Sequence, residues 1–504
     1  MLKQKYFLTG IFILSAERQP IKLAWRKIVW LPFLLFFPIV ATFFFLLPHR
    51  IRQGYLLVVS YFFYMNWSPT YSLFLVFVTL VSYVGAQILQ KLSESENDKL
   101  RRVVLASTLL LCFSGLFIFK YLNFLNDSLW GIFSLIGIRM EVPHLELLLP
   151  VGISFYTFQA CGYMIDVYRR QIMVERNFCT YALFISFFPQ IAAGPIGRGK
   201  ELLPQFKVRH YLNRRDITTG LRWMLWGYFM KVVVADRLAL YTDAVFGNIA
   251  HHTGVSVLVA AVLFTFQIYC DFAGYSFIAL GCARIMGFQL IVNFARPYMA
   301  TSIQDFWRRW HISLSTWFRD YLYIPLGGSR CSKWRTRMNL MITFVVSGLW
   351  HGANWTFVIW GGLNGLFQVI GNIMKPIKEQ TRLCCGIRKD SIWLKAFNIL
   401  LTFVLMTVTW TFFKAHTLED ALLAISKMVL PAGVLYKPDL SVLLYGTMGV
   451  GVLMVCDMLE EKNGKHPLLE NDSITIRFAS YVVLSMIILS VGVFDGGQFI
   501  YFQF

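Results

Sequence analysis

Two histidines flanked by tryptophan are the side chains in this sequence best suited to chemistry. They are His311, in Trp310-His311-Ile312-Ser313-Leu314-Ser315, and His351, in Trp350-His351-Gly352-Ala353-Asn354. An imidazole titrates near neutral pH and can take a proton from an attacking hydroxyl. Both stand in chain that is otherwise apolar or aromatic, where an ionisable group is costly and by default marks a functional site. No nearby Ser or Cys carries the third group of a triad, so a covalent nucleophile is not indicated. A metal centre needs three or four protein ligands, and His311, His351 and Asp271 would barely supply them. A general base is the simpler assignment. For His311 a structural role, with its nitrogens satisfied by backbone or by a hydroxyl such as Ser315, stays open beside it.

The elements that must position these groups follow from composition. The chain has 504 residues, 57% of them hydrophobic and only 15% charged. Soluble domains are about a quarter charged. Many windows reach the roughly 20 apolar residues that span a bilayer, so the expected class is an all-α polytopic membrane protein. The formal net charge is +20. The Lys and Arg residues fall in short runs between apolar segments, the pattern of cytoplasmic loops and not of a nucleic-acid surface. Nine cysteines show no metal-ligand spacing, and Cys112, Cys161, Cys270, Cys282 and Cys456 lie inside apolar runs, where a free thiol packs as a small hydrophobe. Residues 1–27 read as an N-terminal interfacial extension without a cleavable signal. Residues 28–504 read as one integral domain, with its core motifs in 178–375.

Residues 305–321 carry apolar side chains at helical spacing, with His311 on the apolar face, and predict one continuous helix. Residues 338–350 are too short to cross alone and are followed at once by 354–374, with basic loops on both sides. That pattern predicts a hairpin whose tip carries Trp350-His351-Gly352. Gly348 and Gly352 serve equally well as ordinary small-residue packing. Segment 181–198 holds Pro189, Gly194, Pro195 and Gly197 and predicts a re-entrant stretch, since broken backbone at membrane depth must be enclosed by protein or line a cavity. Asp271 either lines a path or caps a helix break.

These residues resemble the membrane-bound O-acyltransferase family, in its bacterial branch of alginate O-acetylation and teichoic-acid D-alanylation proteins. The resemblance rests on Phe188-Pro189-Gln190 with Gly194-Pro195-Ile196, on Tyr269-Cys270-Asp271-Phe272 with Gly274-Tyr275-Ser276, and on Asn293-Phe294 with Pro297-Tyr298. The run from Asp305 through His311 to Gly328 and the block Gly348-Leu349-Trp350-His351-Gly352-Ala353-Asn354-Trp355 complete it. It implies a ring of helices with broken segments around a central tunnel, in the inner membrane of a bacterium. It also implies an acyl thioester donor, on coenzyme A or a carrier protein, presented from the cytoplasm, and a hydroxyl acceptor outside. His351 would match the catalytic histidine and His311 the second motif residue. No bound cofactor and no metal are expected. Trp310, Trp350, Asn354, Asp271, Ser315, Asn364 and Gln190 are candidates for lining the substrate path, and Asn354 or tryptophan N–H groups for holding an oxyanion. One departure stands out: Asn364-Gly365 occupies a position where many relatives carry His-Gly.

The reading is transfer of an acyl group, most simply acetyl, to an envelope or exported polysaccharide, directly or through a periplasmic acyltransferase partner. D-alanyl or longer-acyl transfer, a transporter with broken helices, and a non-catalytic scaffold are the alternatives.

Overall fold

The computed structural model describes residues 30–66, 69–94, 97–137, 145, 149–192, 194–494 and 499–500; these form helices and turns, with no strand among the described residues. The interfacial reading of residues 1–27 lies outside them. In chain order the helices are α1 (Trp30–Leu46), α2 (His49–Met65), α3 (Pro69–Glu94), α4 (Asp98–Leu116), α5 (Leu122–Leu135), α6 (Ile153–Tyr168), α7 (Phe178–Ser186) and α8 (Gly199–Lys207). They continue with α9 (Arg214–Tyr228), α10 (Asp236–Phe246), α11 (Gly254–Ile285), α12 (Ile303–Arg309), α13 (Ile312–Phe318), α14 (Lys333–His351) and α15 (Trp355–Cys384). The last are α16 (Ile392–Lys414), α17 (Leu418–Val429), α18 (Leu440–Asn463) and α19 (Ile474–Val491). Seven helical segments among the described residues are long and apolar enough to cross a membrane, and the chain is a polytopic membrane protein.

By apolar pattern 103–119 reads as a span and 124–142 as a less regular half-span, of which 138–142 lie outside the described residues; the structure corrects the division between them. Helices α4 and α5 join through a π-helical turn, Phe117–Tyr121, into a single rod from Asp98 to Leu135. A π turn widens the helix by one residue per turn and is often found at functional sites. Here it turns Lys120 and Tyr121 toward α14.

The basic termini of the helices gather at one end of the molecule. Arg101, in the first turn of α4, donates to the carbonyl of Tyr168 at the end of α6. Arg169 donates to Asp320 O at 3.1 Å, and Arg198 pairs with the Asp320 carboxylate at 3.0 Å. Lys333, Arg335 and Arg337 open α14. At the far end of these helices Lys120, Gly152 and His351 come together around one cleft. With 1.5 Å of rise per residue, the chemistry-bearing end of α14 is roughly 25 Å from its basic start.

The segment read as re-entrant is broken as expected. Helix α7 ends at Ser186, and the chain continues as buried turns, Phe187 to Ala192 and Gly194 to Ile196 all being enclosed by protein. Gln190 donates to Gln159 Oε1 at 3.2 Å and to Phe184 O at 3.3 Å, supplying partners that the broken backbone lacks.

Asp271 does not cap a helix break, and its carboxylate is taken up by a buried ion pair. Helix α11 runs unbroken through it. Its carboxylate pairs with Lys231 at 2.5 Å, Lys231 pairs with Asp236 at 2.8 Å, and Asp271 Oδ2 accepts from the Ile500 N–H at 2.8 Å. All three charged side chains are buried, so each depends on the others for its solvation.

Candidate active site

His351 is the last residue of α14, and α15 folds back on that helix at once. The hairpin closes because two glycines let the backbones touch. A Cβ on Gly348 would lie 2.2 Å from Phe357 O, and one on Gly361 would lie 2.3 Å from Phe344 O. Asn354 caps the start of α15 by accepting from Thr356 N at 3.0 Å. The last carbonyls of α14 are met by Lys120, whose Nζ donates to Trp350 O and to His351 O at 2.8 Å each, and by Tyr121, whose hydroxyl donates to Leu349 O at 2.9 Å. A cation at a helix C-terminus is favoured both by these orphan carbonyls and by the helix dipole.

His311 reaches the same place by another route. The continuous helix expected over 305–321 is broken: α12 stops at Arg309, His311 adopts φ 44° and ψ 54°, and α13 starts at Ile312. Apolar spacing does not register such a break, because α12 and α13 each keep a buried face. A strap just upstream pins it. Asn293 O accepts from Ile312 N at 3.0 Å, Asn293 Oδ1 accepts from Ser313 N at 3.0 Å, and Ala295 N donates to Arg309 O at 2.9 Å. A left-handed non-glycine residue costs about 1–2 kcal/mol and persists only where its surroundings hold it.

The two imidazoles lie 6.4 Å apart between ring centres. Around them aromatic rings form a box. Trp350 and Trp360 stand edge-on to His351 at 4.9 and 5.0 Å, Phe413 is at 5.5 Å, and Phe272 packs against His311 at 4.6 Å. The indole N–H groups of Trp350 and Trp360 are buried without a hydrogen-bond partner among the described residues. His351 and Trp350 form one wall of a narrow cleft of about 30 Å³, completed by Lys120, Leu149, Gly152, Ser154, Phe155 and Ala192. Gly152 is required there: it has φ +72°, and a Cβ would meet Ile191 O at 2.2 Å. No group of three or more metal-ligating side chains occurs among the described residues.

Such a site can take a proton from a hydroxyl that enters the cleft and can offer N–H donors to a developing oxyanion. The membrane-bound O-acyltransferase family model matches residues 168–413, which include both histidines. A probable alginate O-acetylase of Pseudomonas aeruginosa is 38% identical over 389 residues, 77% of this chain and 71% of that protein. A peptidoglycan O-acetyltransferase of Helicobacter pylori is 36% identical over 402 residues, 74% of this chain and 73% of that protein. The chain belongs to the membrane-bound O-acyltransferase family. A teichoic acid D-alanyltransferase of Streptococcus thermophilus matches less of it, 28% identical over 288 residues, 53% of this chain and 69% of that protein.

Within this O-acyltransferase, the fold brings His311, His351 and Trp350 together as the sequence suggested. Other candidates hold the frame instead. Trp310 is a core ring, stacked on Phe306 at 5.4 Å and 4.9 Å from Trp410. Ser315 Oγ donates to Trp310 O at 3.2 Å. Asn354 Oδ1 caps α15, its Nδ2 donates to His416 O at 3.0 Å, and the residue is not part of the cleft wall. Asn364, the departure from the family pattern, is fully buried; it accepts from Trp307 Nε1 at 3.2 Å and donates to Trp360 O at 2.8 Å. It braces two tryptophans and does not reach the cleft. Sequence reasoning missed Lys120. A lone lysine closing an apolar run reads as a span terminus, and only the π turn aims it inward. A lysine some 20 residues past a basic helix start, at the wrong end for a cytoplasmic anchor, was the available signal.

Proposed function

We propose that this O-acyltransferase moves an acetyl group from a thioester donor to a hydroxyl of an envelope or exported polysaccharide of a bacterium, with His351 as the base. One observation carries the reading: His351 lies in the wall of a cleft at the end of the helices opposite the gathered basic termini. Under the positive-inside rule the basic end faces the cytoplasm, so the cleft admits an acceptor from the outer side. The inner membrane is the corresponding location. Arg169, Arg198 and Arg319 cluster around Asp320 at the basic end, which suits an anionic donor such as coenzyme A or a carrier-protein thioester.

The reaction balances without a metal or redox partner. The acceptor oxygen attacks the thioester carbonyl as its proton passes to His351. The tetrahedral oxyanion collapses, the C–S bond breaks, and the thiolate recovers the proton from the imidazolium. The aromatic box around the imidazoles leaves little room for water to compete for the acyl group. His311 lies near enough to polarise the reacting groups or to hold them against His351. Acetyl transfer to a polysaccharide is favoured over D-alanyl transfer because the relatives named for O-acetylation match more of the chain at higher identity.

The test is the O-acyl ester content of the host's envelope glycans, with the released acid identified by mass spectrometry. His351→Ala at equal membrane abundance should abolish the esters and leave the glycan intact. Unchanged esters would remove His351 from catalysis, and loss of the glycan itself would indicate transport.

A further inference from the structure

We propose that Lys120 is a second catalytic residue, whose ammonium binds the acyl oxygen as negative charge develops on it. The inference rests on the acyltransferase reading of His351 and adds the electrophilic half of that site. Lys120 is partly buried at the π turn between α4 and α5, at membrane depth, where an uncompensated cation is costly. Among the described residues no carboxylate pairs with it. Its Nζ instead donates to the carbonyls of Trp350 and His351 at 2.8 Å each.

An ammonium has three N–H donors. Two are taken by the end of α14, and the side chain lines the same cleft as His351, Gly152, Ser154 and Phe155. Tetrahedral geometry turns the third donor away from the helix end that holds the first two. The cleft is the space beside it. A helix cap alone does not need a charge, since a neutral amide can donate twice. A positive charge set beside the base in the cleft suits the one species in acyl transfer that carries new negative charge, the tetrahedral oxyanion. In a low-dielectric site such a donor is worth far more than in water. The indole N–H of Trp350, also in the cleft wall and without a hydrogen-bond partner among the described residues, is a second donor beside it.

The step is balanced as before. The acceptor proton moves to His351, the C–O bond forms, and the carbonyl oxygen takes the electron pair while hydrogen-bonded to Lys120. Collapse returns the pair to the carbonyl and expels the thiolate, and Lys120 stays protonated throughout.

Three substitutions separate charge from capping. Lys120→Gln keeps two N–H donors for the helix end without the charge, Lys120→Arg keeps both, and Lys120→Met keeps neither. Each is expressed in the host, with membrane abundance and melting temperature recorded, beside His351→Ala. The readout is the initial rate at which labelled acetate appears as alkali-labile ester on the envelope glycan after a pulse. The expected result is a fall of at least tenfold for Lys120→Gln and Lys120→Met at wild-type melting temperature, with Lys120→Arg retaining the larger rate. Lys120→Gln labelling within twofold of wild type, or losses in all three that track lowered melting temperature, would overturn the assignment and leave a cap. Labelling that persists in His351→Ala would instead bring down the acyltransferase reading of the site, so the two failures are distinct.

Discussion

The imidazole of His311 lies 6.4 Å from that of His351, with the ring planes 62° apart. The two residues are held by unrelated devices. His351 ends a helix whose position depends on the α14–α15 hairpin, whereas His311 occupies a helix break pinned by Asn293. Damage to one device should therefore leave the other histidine in place, and the consequences of each can be measured separately.

At His311 function and stability should part company. Alanine there removes the imidazole and keeps the strain of φ 44°, while glycine removes both. His311→Gly should unfold later than His311→Ala, by about 1 kcal/mol, because the left-handed conformation no longer opposes a Cβ. Both should lose ester formation. Thermal unfolding in detergent, paired with the glycan ester assay, reads the two effects. An alanine variant as stable as the glycine variant would mean that the break relaxes when the histidine is gone.

The hairpin offers a matched set of glycines. Gly348→Ala and Gly361→Ala each drive a methyl group into a facing backbone carbonyl, at 2.2 and 2.3 Å, and should cost about 1–3 kcal/mol through forced separation of α14 and α15. Gly362, next in sequence, has nothing within 4 Å of its would-be Cβ. Gly362→Ala should be neutral, or should stabilise by up to about 1 kcal/mol through helix propensity. Melting temperatures of the three variants check this. Equal losses at all three positions would show that the close approach is not what holds the hairpin.

The hairpin was legible in the sequence because its logic is one-dimensional: two apolar runs too close to be separate crossings, with basic flanks and a histidine between them. The broken segment at 187–197 was legible for a similar reason, since proline and glycine act on their own backbone. The break at His311 was not. Its cause is Asn293, which lies 20 positions away from Ser313 and bonds to it only after folding. The pairing of Asp271 was not legible either, because a buried carboxylate looks the same in sequence whether it meets a substrate or a lysine; its partner Lys231 is 40 positions away. Lys120 was hidden by the π turn, which leaves no mark in apolar periodicity.

A pH effect on stability should arise away from the membrane-spanning helices. His466, in the turn between α18 and α19, packs edge-on to Trp226 at 4.4 Å, and its Nδ1 accepts from Leu468 N and Leu469 N at 3.3 Å each. Burial pushes its pKa down from 6.5 to about 4. Below about pH 6.5 the unfolded chain takes up a proton that the folded chain refuses, so stability should fall as pH drops from about 6.5 and level off below about 4. The full effect is up to about 3 kcal/mol at 1.36 kcal/mol per unit. Melting temperature between pH 4 and pH 8 should therefore decline more steeply on the acid side for the wild type than for His466→Gln. Parallel profiles would show that other groups control the acid limb.

The buried triad gives a prediction about what Asp271 does not do. Lys231, Asp236 and Asp271 sit inside the helix bundle, and Asp271 also receives the Ile500 N–H. Lys231→Met would leave two carboxylates without their shared cation and should cost about 3–5 kcal/mol, seen as lost membrane abundance and lost thermal stability. Replacing all three together, Lys231→Met with Asp236→Asn and Asp271→Asn, should recover a large part of that loss, because no bare charge remains. The next residue, Phe272, packs against His311 at 4.6 Å, so the triad reaches the reacting centre only through the fit of that ring. Ester formation per folded molecule should accordingly change less than threefold in the triple variant. A stable triple variant that has lost ester formation would return Asp271 to the substrate path, against its pairing with Lys231.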